Sequence, residues 1–152
     1  MVCRMSVLNI VKYPDELLHQ KSTEVSQFDK ELKKIVKDMF DTMYQNNGIG
    51  LAGVQVGILK KIIVIHIDTE DENFKSEVIN PKILSFSKDE SVMREGCLSV
   101  DGKMYDIKRP NEVVVEFYKC DGKKYTINAK GLLAKCFQHE IDHLNGITIA
   151  DK

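Results

Sequence analysis

The stretch QHEIDHL, residues 138–144, places two histidines four positions apart near the end of the chain. On a helix, side chains at i and i+4 lie one above the other, so His139 and His143 can reach one ion. Glu140 adjoins the first histidine and can act on a water molecule beside that ion. Burying two imidazoles and a carboxylate on a mostly apolar helix is costly without a ligand. The stretch therefore predicts a metal-binding helix, and the alternative is a buried histidine pair satisfied by hydrogen bonds.

The helix that carries this stretch is expected over residues 130–145, where Gly146 ends it. Upstream, a second amphipathic helix is expected, with Asp29 as its N-cap and Gly48 at its end. Its apolar face holds the following residues: Leu32, Ile35, Val36, Met39, Phe40, Met43 and Tyr44. Two helices that are separated by a long stretch of strands favour an α+β fold.

Strand patterns occupy the middle of the chain. Residues 60–68 are rich in Ile and Val and predict a buried strand, and residues 77–84 predict a weaker one. Pro81 indicates an edge or a bulge in that second strand. Residues 113–118 and 124–128 flank Asp121-Gly122, a sequence typical of a hairpin turn. We expect mixed, mostly antiparallel sheets around a central C-terminal helix.

Length and composition indicate an ordinary globular protein. The 152 residues suit a single domain over residues 1–152. A formal net charge of −1 gives no reason to expect nucleic acid or an acidic membrane as the main partner. The N-terminus lacks the apolar run of a signal peptide, and no stretch approaches the ~20 apolar residues that span a bilayer. We therefore expect a cytoplasmic protein without a disulfide framework.

A catalytic metal site usually has three protein ligands and one open position, so a third ligand is needed. Asp151 follows the helix but lies near the end of the chain. Cys136 and His143 are seven residues apart, which separates their backbones by ~10 Å along the helix axis. The short cysteine side chain cannot span that distance. The third ligand is therefore expected upstream, and Cys136 is expected as an apolar neighbour of the site.

Three cysteines lie upstream of the helix. Cys3 is near the N-terminus, and Cys120 lies beside the predicted hairpin turn, usually an exposed place. Cys97 follows Gly96, which would let the backbone come close to a ligand. One cysteine after a glycine is a weak signal, and a packed thiol is the alternative for Cys97.

A glycine-rich segment, GIGLAGVQ at residues 48–55, follows the first long helix. It lacks the Lys-Ser/Thr pair of a phosphate-binding loop, and its spacing does not match the dinucleotide-binding pattern. Gln55 is its one polar side chain that could donate a hydrogen bond to an oxyanion. A simple tight turn is the alternative.

Together these segments resemble the peptide deformylase family. That family carries G-x-G-L-A-A-x-Q, then E-G-C-L-S, then Q-H-E-x-D-H-L. This chain has GIGLAGVQ (48–55), EGCLS (95–99) and QHEIDHL (138–144) in the same order. The resemblance covers nearly the whole chain and implies an α+β domain whose sheets enclose the metal-binding helix.

The resemblance also implies roles for individual residues. It gives three metal ligands, Cys97, His139 and His143. It makes Glu140 the general acid and base, and it places Gln55 and the backbone N–H of Leu98 at the oxyanion. The implied substrate groove is lined by Ile49, Gly50, Glu95, Gly96 and Leu132. Arg109 falls at a recurring family position with a structural or substrate-side role. The implied cofactor is Fe²⁺, for which Zn²⁺ or Ni²⁺ can substitute.

The implied reaction is metal-dependent removal of the N-formyl group from the N-terminal methionine of newly made polypeptides, with release of formate. N-formylmethionyl peptides are then the main partners, with transient contact to the ribosome. The chain ends at Lys152 without the further helix that is associated with ribosome docking in many members, so that docking mode is not expected.

Two residues depart from the family pattern. Gly53 replaces an alanine, which we expect to loosen the turn slightly without affecting Gln55. Lys135 stands where an apolar residue is common at the rim of the methionine pocket. Three rival functions remain open from the sequence: a general zinc peptidase, a peptide-binding module with a structural metal, and a redox-sensing protein based on Cys97.

Overall fold

The computed structural model describes residues 7–152, which contain two α-helices and seven strands. In chain order they are α1 (Lys30–Gln45), β1 (Gly50–Ala52), β2 (Ile62–Asp68), β3 (Asn73–Phe86), β4 (Glu90–Cys97), β5 (Val100–Pro110), β6 (Glu112–Tyr118), β7 (Lys124–Lys130) and α2 (Gly131–Leu144). Short 3-10 helices lie at Glu16–His19, Gly53–Val56 and Ile149–Asp151.

The strands form two antiparallel sheets. One has five strands in the order β1-β2-β3-β6-β7, and the other is a ribbon of β4 and β5. The polypeptide is therefore an α+β single domain, as the sequence predicts. No helix in the described residues is both long and apolar enough to cross a bilayer.

Helix α1 forms where the sequence predicts it. The Asp29 side chain accepts a hydrogen bond from the backbone N–H of Leu32 at 3.0 Å, which satisfies one of the free donors at the helix start. Four residues of its apolar face are buried: Leu32, Val36, Met39 and Met43. They pack with Val64 of β2, so α1 covers one face of the five-stranded sheet.

The opposite face of that sheet packs on α2. Phe137 of α2 is fully buried and lies against Phe117 of β6, with ring centroids 6.1 Å apart. Every residue from Ala134 to Glu140 is buried, because α2 also contacts the ribbon on its other side. A helix enclosed in this way is held on all sides by packing.

Pro81 produces a bulge in β3. Strand β3 pairs with both β2 and β6, so it is not an edge strand. Its register with β6 shifts between Ile79 and Lys82, on either side of the proline. Proline lacks the N–H that a regular ladder needs, and the shift accommodates this loss. The predicted hairpin is also present, as β6 and β7.

The ribbon of β4 and β5 is the main element that the apolar pattern does not predict. Several of its side chains are exposed, including Val92 and Met104. A strand with little burial on either face lacks the alternation of apolar and polar residues that marks a half-buried strand. The ribbon nevertheless carries Cys97, at the last position of β4.

Candidate active site

Helix α2 holds the two histidines and the glutamate in the interior. His139, Glu140 and His143 are all buried, and the two imidazole rings lie 5.0 Å apart between centroids. The spacing of four residues puts both rings on one face of α2. The Glu140 Oε1 and His143 Nδ1 atoms are buried without a hydrogen-bond partner. Buried polar atoms without partners are rare, so the free Glu140 oxygen favours a ligand beside it.

The ribbon brings Cys97 to the same place. Its Sγ lies 3.3 Å from His143 Nε2. One donor atom each from Cys97, His139 and His143 lie within 4.8 Å of one another, and this is the one such group found among the described residues. Ligand distances of ~2.0–2.3 Å to a single ion are compatible with that separation.

The other candidate ligands do not belong to this group. Asp151 accepts hydrogen bonds from Thr148 and contacts His19 instead. Cys136 is buried next to Gly50, as the sequence predicts for an apolar neighbour. Cys120 is half-buried and packs with the α1 cluster, so the expectation that it is exposed is wrong. Cys3 lies outside the described residues.

A buried ion-pair network orients His139. Its Nδ1 lies 3.0 Å from Glu95 Oε1, which leaves Nε2 to face the site. Arg109 Nε donates to Glu95 Oε2 at 2.7 Å, and Arg109 Nη1 donates to Asp142 Oδ2 at 2.8 Å. Burial raises the pKa of Glu95, but the hydrogen bonds from His139 and Arg109 outweigh it and lower that pKa below its usual value. The carboxylate stays ionised and fixes the ring.

A cavity of about 360 Å³ opens onto these residues. Its volume suits one or two residues of a peptide. Its wall includes all five residues that the family resemblance implies for a substrate groove: Ile49, Gly50, Glu95, Gly96 and Leu132. A Cβ on Gly50 would lie only 2.6 Å from Glu140 Oε2, so glycine is required where β1 passes over the helix.

Gln55, the last residue of the glycine-rich segment, contacts the ribbon and the turn that joins its strands. Its Oε1 accepts a hydrogen bond from the Ala52 backbone at 2.9 Å, which fixes the amide. Its Nε2 donates to Ser99 Oγ at 3.1 Å and approaches Cys97 Sγ at 3.5 Å. Leu98 is the next residue after Cys97 and also lines the cavity. The structure therefore brings the Gln55 side chain and residue Leu98 to the cavity beside Cys97.

Electrostatics in the site favour a cation. Burial raises the pKa of Glu140 to about 7. Burial, together with nearby His139, lowers the pKa of His143 to about 3, so that ring is neutral at pH 7, as a metal ligand must be. Burial also acts to lower the pKa of His139, but Glu140 and Cys97 outweigh it and raise the pKa to about 10. The carboxyl groups of Glu140 and Glu95, which favour the charged form of His139, also favour a bound divalent ion.

Comparisons with known proteins agree with this geometry. The family described as "Polypeptide deformylase" matches residues 7–152. The chain belongs to the polypeptide deformylase family.

Relatives within the deformylase family cover most of the chain. A peptide deformylase from Finegoldia magna is 49% identical over 138 residues, covering 91% of this chain and 84% of the relative. A crystal structure of peptide deformylase from Ehrlichia chaffeensis in complex with actinonin has a TM-score of 0.92 at 45% identity, covering 95% of this chain and 87% of the other.

A more distant structure shows the same fold. Peptide deformylase from Thermotoga maritima has a TM-score of 0.89 at 36% identity, covering 96% of this chain and 97% of the other. Deformylation of nascent peptides is the activity of the deformylase family, and the family depends on a metal. The chain is therefore a metal-dependent hydrolase that acts on peptides.

Two contributors to this deformylase-family site were not predicted, and the bonds of a third, Lys135 at the expected pocket rim, were not predicted either. Ser99 accepts the hydrogen bond from Gln55, and Asp142 accepts one from Arg109. Both lie inside the recognised motifs, but their partners are distant in sequence. Lys135 lies on the cavity wall, and its Nζ donates to the carbonyls of Ser91 and Arg109, each at 2.7 Å. The Lys135 ammonium is thus bound to the ribbon.

Proposed function

We propose that residues 1–152 form one catalytic domain in which Cys97, His139 and His143 hold a divalent ion beside Glu140. The observation that carries this proposal is the meeting of three ligand atoms within 4.8 Å at the cavity, next to a buried carboxylate oxygen without a partner. The reaction is removal of the N-formyl group from an N-terminal methionine, with release of formate.

The donor set fits a catalytic metal. Two imidazoles and one thiolate leave a fourth position open, which a structural site would fill. When bound, the ion acts as a Lewis acid that makes a neighbouring water acidic enough to lose a proton near pH 7. We propose Fe²⁺ as the native ion and Zn²⁺ or Ni²⁺ as substitutes, because this ligand set suits all three. Metal analysis of protein purified without oxygen tests this choice.

Glu140 moves the proton in both halves of the reaction. Its pKa of about 7 lets the carboxylate take a proton from water near neutral pH. The water oxygen forms a bond to the formyl carbon. Glu140 then gives the proton to the departing amine nitrogen as the C–N bond breaks. The products are formate and a peptide whose N-terminal methionine has a free amino group.

Gln55 and Leu98 stabilise the charge that develops on the formyl oxygen. The Gln55 Nε2 lies in the cavity wall beside Cys97, and its amide is held by Ala52, so it needs no large reorganisation. The Leu98 backbone N–H adjoins the same cysteine. Losing one donor of this kind typically costs ~10²–10³ in rate.

The cavity wall explains the choice of methionine. Leu132, Cys136 and His139 line one part of it and offer an apolar surface to the methionine side chain. Gly50 and Gly96 lie on strands at its rim, where a peptide backbone can approach closely. A formyl carbon bears only hydrogen, so the narrow space beside Glu140 excludes larger acyl groups.

Substrate chemistry also supports a cellular location. Formylated nascent chains arise at ribosomes, so we propose that the protein acts in the cytoplasm with transient ribosome contact. Sedimentation of the protein with ribosomes that carry formylated nascent chains, compared with empty ribosomes, tests this contact. Equal absence from both pellets would refute it.

One assay separates the proposed function from its rivals. The metal-loaded protein should release formate from formyl-Met-Ala and leave Met-Ala intact. Cleavage of the internal peptide bond would instead identify a general peptidase. No turnover of either peptide with the metal bound would favour a binding module, and activity that survives metal removal would favour thiol chemistry at Cys97.

Glu140→Ala tests the assignment of the base. The variant should keep its metal, because the carboxylate is not one of the three ligands, and should lose at least ~10² in kcat. Metal content and kcat are measured on the same sample. Unchanged turnover would refute the role of Glu140.

Cys97→Ser and Cys136→Ser form a matched pair that tests the ligand choice. Both remove a thiol that lines the cavity, but only Cys97 lies in the ligand group. Cys97→Ser should therefore weaken metal binding far more than Cys136→Ser in a competition with a chelator. The reverse ranking would show that the ligand assignment is wrong.

A further inference from the structure

The short segment of residues 11–13 joins the two parts of the chain that carry the proposed oxyanion donors. The Val11 N–H donates to the carbonyl of Gln55 at 2.7 Å. The Tyr13 N–H donates to the carbonyl of Ser99, also at 2.7 Å. Segment 11–13 therefore bridges the 3-10 helix that holds Gln55 and the turn that follows Cys97.

Lys12 adds a side-chain bond to the same turn. Its Nζ donates to the carbonyl of Leu98 at 2.9 Å and to the carboxylate of Asp101 at 2.8 Å. Leu98 and Ser99 are the two residues between β4 and β5, because Cys97 pairs directly with Val100. Both carbonyls of this two-residue turn thus accept hydrogen bonds from segment 11–13.

The bond from Lys12 acts on a donor that the proposed reaction needs. The Leu98 carbonyl and the Leu98 N–H flank the same Cα, so restraining the carbonyl limits how far the N–H can rotate or withdraw. Charged donors make stronger hydrogen bonds than neutral ones. Lys12 does not line the cavity, so any influence on catalysis passes through the turn.

We propose that Lys12 is a positioning residue that holds the Leu98–Ser99 turn, and with it the Leu98 N–H, in place at the oxyanion. This inference rests on the proposed role of Leu98. The Lys12 side chain is 47% exposed, and bonds at the surface contribute modestly. The expected effect is therefore a partial loss of rate with little change in overall stability.

Lys12→Met tests the proposal, because it keeps the aliphatic stem and removes the donor. With formyl-Met-Ala, kcat should fall about three- to tenfold, which corresponds to the net value of one ordinary hydrogen bond, because exposure weakens the bond from the charged donor, while KM changes less than about twofold. Lys12→Arg should restore most of the rate, because it keeps a charged donor. Lys88→Met is the matched control: it removes an exposed lysine beside β4 at the end of the ribbon away from Cys97, and should change nothing.

Hydrogen exchange measures the order of the Leu98–Ser99 turn directly and does not depend on catalytic activity. Amide hydrogen exchange in a peptide spanning residues 96–101 should be faster in Lys12→Met than in the wild type or in Lys88→Met, with exchange in α2 unchanged. Metal content and the thermal midpoint should match the wild type. A lower midpoint or lost metal would assign Lys12 a general structural role instead.

Several outcomes would overturn the proposal. Equal kcat in Lys12→Met and the wild type would do so, as would a lower kcat/KM that comes only from a higher KM. Unchanged exchange over residues 96–101 would do so independently of catalysis. If the wild type released no formate at all, the proposed function would fail, while the exchange measurement would still decide whether Lys12 holds the turn.

Discussion

Helix α2 and the ribbon of β4 and β5 supply the two halves of one site, and they are held in place by different forces. Around α2 the contacts are apolar: Ala134 and Phe137 are fully buried against the five-stranded sheet. The ribbon buries little apolar surface. Val100 and Ile107 are its buried hydrophobic residues, and Val92 remains 61% exposed.

Polar bonds take the place of apolar packing where the ribbon meets α2. Arg109 of β5 pairs with Glu95 of β4 and with Asp142 of α2. Lys135 of α2 donates to backbone carbonyls on both strands. A hydrogen bond sets the angle and the distance between its two groups. Apolar packing mainly requires that the side chains fill the space between two elements. Cys97 thus depends on polar bonds for its position, whereas the core holds the helix that carries His139 and His143.

Phe137→Ala should produce the largest loss of stability, because it removes an apolar side chain that packs α2 against the five-stranded sheet. Removing a fully buried phenylalanine costs roughly 3–5 kcal/mol in the free energy of unfolding. Urea denaturation measures this loss. Phe86→Ala, at a side chain that is 58% exposed, is the control and should cost far less. Similar losses in both variants would contradict the view that α2 is held by its core.

Arg109→Met should come next, because it leaves the carboxylates of Glu95 and Asp142 without their buried partner. Breaking a buried ion pair costs roughly 3–5 kcal/mol, and we expect the lower end because Asp142 is 23% exposed. The variant should also lose metal affinity, because Glu95 no longer holds His139 in one orientation. Lys108→Met, at the exposed neighbouring position, is the control. Wild-type stability in Arg109→Met would show that the ribbon does not depend on this network.

Gly50→Ala should have the smallest effect on stability and a clear effect on activity. Its new Cβ would lie 2.6 Å from Glu140 Oε2 and 2.9 Å from Cys136 Sγ, so α2 or β1 must shift. Overpacking of this kind costs roughly 1–3 kcal/mol. Turnover should fall at least about tenfold, since misplacing a catalytic group by ~1 Å can cost ~10² in rate. Full activity with an unchanged unfolding curve would contradict the tight contact between β1 and Glu140.

The difference between the apolar contacts of α2 and the polar contacts of the ribbon also explains why the sequence predicts the helix but not the ribbon. Helix α2 has a regular apolar pattern and two histidines four residues apart, so its position and the shared face of His139 and His143 follow from periodicity. The ribbon has no such pattern, because most of its side chains face solvent. Cys97 was therefore a weak candidate from its own surroundings and became a strong one only through the motif that contains it.

Contacts between residues that are far apart in the chain cannot be predicted from the sequence pattern. Nothing local relates Arg109 to Asp142 or Lys135 to Ser91, which lie 33 and 44 positions apart. The expectation for Cys120 failed for the same reason. A position beside a turn indicates exposure, yet burial and Glu77 raise the pKa of this thiol to about 12.

The α+β class, the C-terminal helix with two histidines four residues apart, and the residue types that can carry the chemistry all follow from the sequence alone. Helical periodicity and side-chain chemistry are local, so they can be inferred from neighbouring positions. The packing of distant elements determines which groups meet: the Sγ of Cys97 near His143, the carboxylate of Glu95 on His139, and Lys12 on the turn at Leu98. These contacts join separate elements, and their geometry depends on how the two sheets pack around α2.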